Sequence, residues 1–212
     1  MATTMAALRD RVHALMPLAR SDLAELVACQ SVADPRQFPA SECLRAAQLV
    51  IDKFTAAGMQ DVHLEDTPDG HPSVYGHIPA PSGAPTVLLY CHYDVQPPLD
   101  PTGEAWHSPP FELTERGGRW YGRGASDCKG NIVAHLTALR ALGEERDTGE
   151  RIRHVLELAG GAGSLPTTRL CAQRCLPAWN AGTHGGPEQG LDLGGHIRMA
   201  RRTCAELIRH SW

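Results

Sequence analysis

The stretch Thr86-Val-Leu-Leu-Tyr-Cys-His92-Tyr-Asp94-Val-Gln-Pro97 decides how the chain is read. Apolar and aromatic residues run straight into His92, and Pro85 and Pro97 bound the run. So short a segment, rich in Val, Leu and Tyr, reads as a buried strand. Alternation puts His92 and Asp94 on one face and turns Tyr93 away. An imidazole with a carboxylate beside it, at the C-terminal end of a buried strand, suits a metal centre, because the carboxylate orients the ring and raises its basicity. The same pair also suits a core histidine held by an aspartate. The stretch alone leaves both readings open.

Upstream, residues 3–32 read as helical, with Leu8, Val12, Leu15, Met16, Leu23, Leu26 and Val27 as the apolar positions. A second helix takes Ser41 as its N-cap, lines one face with Leu44, Ala47, Ile51 and Phe54, and stops at Gly58. The period then changes to two. Residues 62–65 and 73–78 read as strands around a turn at Pro68-Asp69-Gly70. Helices followed by strands in this order predict a mixed α/β layer rather than a helical bundle. His63, His71 and His77 stand alone and read as surface or loop residues.

Downstream, residues 96–110 are rich in proline and polar side chains and read as a long surface loop, with Trp106 and Phe111 as its anchors. A dense stretch follows, Gly117-Gly-Arg-Trp-Tyr-Gly-Arg-Gly124-Ala-Ser-Asp127-Cys-Lys-Gly130-Asn131. Its glycines imply tight backbone and close approach. A helix over 131–142 puts Asp127 just ahead of a helix N-terminus. Taken alone, Ser-Asp-x-Lys-Gly reads as a capping aspartate with a glycine turn. A phosphate loop is excluded by spacing, since Gly-x-x-x-x-Gly-Lys-[Ser/Thr] is absent.

Composition narrows the function classes. The chain has 212 residues and a net charge of -4, with no basic block, which argues against nucleic acid and membrane surfaces as partners. No apolar run approaches the ~18 residues of a membrane span. The first residues lack a basic segment followed by an apolar core, so no signal peptide is expected. Seven irregularly spaced cysteines fit reduced thiols and a cytoplasmic location.

The motifs taken together say more than either alone. His92-Tyr-Asp94, then Trp106-x-x-x-Pro-Phe111, then Tyr121-Gly-Arg-Gly-Ala-Ser-Asp127-x-Lys-Gly130 resembles the zinc-dependent metallopeptidases of the dipeptidase, acetylornithine deacetylase and succinyl-diaminopimelate desuccinylase family. Tyr90-Cys-His-Tyr-Asp-Val-Gln-Pro97 is closest to the dipeptidase branch. The resemblance covers roughly residues 19–142. It implies an α/β three-layer sandwich with a central mixed sheet, here an incomplete catalytic domain. It implies that His92 is a ligand to one of two Zn2+ ions and that Asp127 bridges both. Asp94, the candidate catalytic-site residue, would sit behind His92 and orient it. Lys129 and Gly130 would shape the turn presenting Asp127, and Cys128 would face away from the metals. Two zinc ions would activate a shared water for cleavage of a dipeptide or an N-acyl amino acid.

The match fails at the general base. The family carries Glu-Gly-x-Glu-Glu-x-Gly-Ser after a strand. This chain has Glu157-Leu-Ala-Gly160-Gly161-Ala-Gly163-Ser164, so Gly160 and Gly161 replace the Glu pair. Glu144-Glu145, at a helix end, is no substitute by position. From residue 159 onward Lys, Val, Phe and Tyr vanish, which fits a shifted reading frame or a real divergence. Cys171, Cys175 and His184 lack a fourth ligand and read as ordinary residues. The expected organisation is a partial catalytic domain over 1–158 and an atypical, poorly packed tail over 159–212, without the family's dimerisation domain. Two functions stay open: a truncated and impaired metal-dependent hydrolase holding two, one or no zinc ions, or a catalytically silent fragment that binds metal weakly or serves as an interaction module.

Overall fold

Helix α1 (Met5–Val27) starts at Thr4, whose hydroxyl accepts the Ala7 N–H at 3.3 Å. The computed structural model describes residues 4–67, 71–79, 86–99, 105–143 and 153–159, with backbone alone for 86–88 and 153–159. Only the second half of α1 is buried, through Ala19, Asp22, Leu23, Leu26 and Val27. The helix stops at Val27, short of the residue 32 expected from periodicity. Cations take the carbonyls at its end: Lys129 Nζ donates to Leu26 O at 2.8 Å and to Cys29 O at 2.7 Å, and Arg45 Nη2 donates to Ala28 O at 2.7 Å. Val32 then pairs in parallel with Val95, and the Ser31 hydroxyl donates to Tyr93 O at 2.7 Å. Residues expected to be helical instead hold the chain that leaves the His92 strand.

Helix α2 (Ala40–Ala56) has Pro39 at its N-cap, two residues ahead of the expected Ser41 cap. Its buried stripe is Cys43, Ala46, Ala47, Val50 and Phe54, and Leu44 is exposed. The apolar face therefore lies one position round from the expected one. Gly58 takes a positive φ of 85° just past the helix, as its placement at the end implies.

Strands β1 (Gln60–Glu65), β2 (Ser73–Ile78), β3 (Thr86–His92) and β6 (Arg153–Ala159) form one sheet in the order β1-β2-β6-β3. The first two pairings are antiparallel and β6–β3 is parallel, so the central sheet is mixed as expected. Helix α3 (Lys129–Gly143) packs on β3, α2 packs on β1 and β2, and α1 lies against α3. Val50, Phe54, Val74, Cys91, Ile132 and Leu136 meet in the core between them. A separate hairpin, β4 (Thr114–Arg116) with β5 (Arg119–Tyr121), turns through Gly117 and Gly118 at φ 57° and 73°. This is the mixed-sheet α/β arrangement that the order of elements predicts. The expected tail over 160–212, with Gly160, Gly161, Cys171, Cys175 and His184, and the Pro68-Asp69-Gly70 turn lie outside the described residues.

The fold positions one spot in particular. Residues His92 and Ala159 are partners across the parallel β3–β6 pair, and Tyr90 and Glu157 are partners two positions before. Both strands therefore end side by side, at the edge where open α/β sheets place their ligands.

Candidate metal centre

The ring of His92 is held at both nitrogens. Its Nδ1 lies 3.0 Å from Asp94 Oδ1 and 3.1 Å from the Asp94 carbonyl oxygen. A carboxylate can only accept, so Nδ1 carries the hydrogen. Nε2 lies 3.2 Å from Asp127 Oδ1. Residues 35 positions apart are thus brought together at the end of β3. Exposure separates their roles: the Asp94 side chain is 9% exposed, His92 29% and Asp127 88%. Asp94 is a buried prop, and Asp127 faces solvent. The Asp94 hydrogen bond holds the His92 imidazolium above the ordinary histidine range; partial burial opposes this, and Asp127 adds to the upward pull. Tyr93 turns away, fully buried, with its hydroxyl on Pro72 O.

Asp127 rides on a turn that the sequence makes rigid. Gly130 has no room for a side chain: an added Cβ would fall 2.1 Å from Ala125 O. Gly124 has φ +83°, and a Cβ there would meet Val95 Cγ1 at 2.8 Å and Lys129 Cδ at 3.0 Å. Lys129 is fully buried and spans from this turn to the end of α1 through its two carbonyl contacts. Burial pushes its ammonium down to about 8. On the outer side, Arg123 Nη2 donates to Pro97 O at 3.1 Å, and its guanidinium lies 4.8 Å from the Trp106 ring centroid. Trp106 Nε1 donates to Pro98 O at 3.1 Å, so the loop following β3 is tied to the Asp127 turn. Trp106 is an anchor, as read from the sequence, and Phe111 packs edge-on against Phe38 at 5.9 Å.

The donor set fits a divalent metal. Among the described residues His92, Asp127 and Cys128 are the group whose ligand atoms all lie within 4.8 Å of one another. Imidazole nitrogen, carboxylate oxygen and sulfur are the donors zinc takes. The Asp94–His92 hydrogen bond is the outer support such a ligand ordinarily has. Cys128 was expected to face away; instead its sulfur stays within that 4.8 Å group while the residue is buried. Two other features escaped the sequence reading. The β4–β5 hairpin had a usable signal, Gly117-Gly118 between Thr-Glu-Arg and Arg-Trp-Tyr. Buried Asp22, which accepts from Lys53 Nζ at 2.8 Å and from Arg140, had none, because its partners lie on two other helices.

Comparisons with known proteins agree with this geometry. Residues 88–168 match the profile of Peptidase family M20/M25/M40, which runs past the boundary drawn at 158. The chain is 41% identical over 138 residues to a cysteinylglycine-S-conjugate dipeptidase of Corynebacterium striatum, covering 64% of this chain and 29% of that protein. It is 36% identical over 134 residues to the Beta-Ala-His dipeptidase of Mus musculus, covering 58% and 26%. The fold superposes on human carnosine dipeptidase 1 with a TM-score of 0.68 at 25% identity, over 81% of this chain and 38% of that one. The chain thus spans under a third of the length of these two curated relatives. The motifs, the sheet and the profile point the same way: over residues 88–168 the chain is similar to peptidase family M20/M25/M40, and it has dipeptidases among its relatives.

Proposed function

We propose that this chain is part of a metal-dependent hydrolase acting on dipeptides or N-acyl amino acids, with His92 and Asp127 as metal ligands and Asp94 as the residue that positions His92. The observation that carries the reading is the imidazole held between two carboxylates where β3 and β6 end together. The substrate class is supported by the relatives, which are dipeptidases named for different dipeptides. A divalent metal, when bound, supplies Lewis-acid activation of water and of the scissile carbonyl. The chain's own residues do the rest. Asp94 keeps the proton on Nδ1, so Nε2, once it gives up its own proton, would turn its lone pair to the metal. Asp127 projects a carboxylate from a turn that Gly124, Lys129 and Gly130 keep in place. The location proposed is a reducing compartment, the cytoplasm; none of the four described cysteines forms a disulfide.

A second reading is favoured by one observation. Gly160 and Gly161 follow directly after Ala159, the partner of His92 in the sheet. Glycine side chains can neither accept a proton from water nor bind metal. In this reading the chain holds metal and does not turn over. One experiment separates the two: metal content of the purified protein together with hydrolysis of Cys-Gly and β-Ala-His, with and without a chelator. Stoichiometric metal with chelator-sensitive turnover supports the hydrolase. Stoichiometric metal without turnover supports the silent binder, and metal-free inert protein removes both.

A further inference from the structure

We propose that Cys128 is a third metal ligand in this chain, giving the His92–Asp127 pair a thiolate partner. The inference rests on the metal-site reading above and goes beyond it, to a residue that neither the motif nor the relatives mark. Two protein ligands make a weak zinc site, and three with an open position is the usual catalytic set. Beyond His92 and Asp127, the described side chain whose ligand atom falls in the same 4.8 Å group is Cys128. Donor atoms in a tetrahedral zinc shell stand about 3–4 Å apart, so a shift on the order of 1 Å suffices to bring the sulfur in.

Two observations fix where the sulfur stands. Asn131 Nδ2 donates to Cys128 Sγ at 3.0 Å. Cys128 also stands immediately before α3, and its carbonyl accepts the first helical N–H groups, from Asn131 at 2.9 Å and Ile132 at 3.3 Å. The sulfur therefore sits at the positive end of a helix with a hydrogen-bond donor aimed at it. On metal binding the S–H bond would break, its proton going to solvent as the metal–sulfur bond forms.

Cobalt(II) titration of the full chain tests this, because thiolate ligation gives a near-ultraviolet charge-transfer band that nitrogen and oxygen ligands do not. The expected result is one equivalent of Co2+ with that band in wild type. In Cys128→Ser the band should be lost and the affinity for Co2+ should fall at least tenfold. If the variant does not fold, X-ray absorption of the zinc-loaded wild type decides, with one sulfur expected at about 2.3 Å. One equivalent of Co2+ bound without the band, a band that persists in Cys128→Ser, or a zinc shell without sulfur overturns the assignment of Cys128 while His92 and Asp127 stand. Failure of wild type to bind Co2+ at all overturns the metal-site reading as well.

Discussion

Replacing Lys129 by Met probes how the Asp127 turn is held, and the outcome depends on pH in a way the structure dictates. The Lys129 ammonium is fully buried and donates to Leu26 O and Cys29 O at the end of α1. Methionine fills similar space, leaves Cys29 O without its donor and takes one of two donors from Leu26 O, which keeps the Cys29 N–H at 3.1 Å, at about 2–4 kcal/mol for the two together. Against this, burial pulls the ammonium from 10.5 down to about 8. At neutral pH that shift corresponds to roughly 3 kcal/mol of cost in the wild type, which the methionine removes. The two effects nearly cancel at pH 7, leaving Lys129→Met within about 1 kcal/mol of the wild type on these magnitudes. The sign of the pH dependence follows from proton counting. Between about 8 and 10.5 the unfolded chain binds more protons at this lysine than the folded one, so wild-type stability rises with pH. The variant lacks the group and lacks that gain. Its deficit should widen by about 3 kcal/mol across the window, to about 3 kcal/mol near its top. Urea unfolding of both proteins, followed by far-ultraviolet circular dichroism at intervals from pH 7 to 10.5, reads the difference directly. A deficit that stays constant, or shrinks as the pH rises, refutes the account of Lys129 as a buried ammonium seated on the end of α1.

Three further outcomes follow from the same contacts. Asp22→Ala leaves Arg140 without the Asp22 carboxylate and Lys53 with Glu25 alone at 2.9 Å, and should cost about 3 kcal/mol, measurable as a lowered urea midpoint. Gly130→Ala drives a Cβ to 2.1 Å from Ala125 O and should cost about 3 kcal/mol while displacing Asp127; metal titration should show affinity down at least tenfold, against an unchanged value if the turn is not what places the carboxylate. In the metal-free protein His92 has its titration midpoint raised, so the stability it draws from Asp94 and Asp127 is full below pH 6.5 and is lost as the pH rises through the folded midpoint. Metal must displace the Nε2 proton, so calorimetry in buffers of different ionisation enthalpy should show His92 releasing close to one proton per ion below that midpoint and close to none above it, a difference absent in His92→Gln.

What could be read from the residues, and what could not, divides by how far the decisive contact reaches. The His92 strand was legible because burial and alternation are local, and its ends fall at Thr86 and His92. The convergence of His92 with Asp127 was legible only through two motifs read jointly, since neither spacing nor periodicity joins residues 35 apart. The over-long α1 arose because residues 28–32 keep helix-compatible chemistry; what ends the helix is Lys129, more than a hundred residues along the chain from Leu26. Leu44 was placed inside because one helical stripe looks much like its neighbour until a sheet chooses between them, and β1 and β2 chose Ala46 and Val50 instead. Cys128 is the instructive case. Position in a motif said that it turns away, yet the side chain's place in a turn is set by the backbone of that turn, here one in which Gly130 approaches Ala125 and Asn131 reaches back to the sulfur. The same reasoning bears on Gly160 and Gly161. The pairing of His92 with Ala159 brings the strand that leads into them to the edge of the site, and if the resemblance to the family motif holds, Gly-Gly in place of Glu-Glu would take away a proton acceptor and a ligand. A thiolate at Cys128 would offset the loss of a ligand but would not take a proton from water at the substrate, so in the silent-binder reading metal is held without turnover.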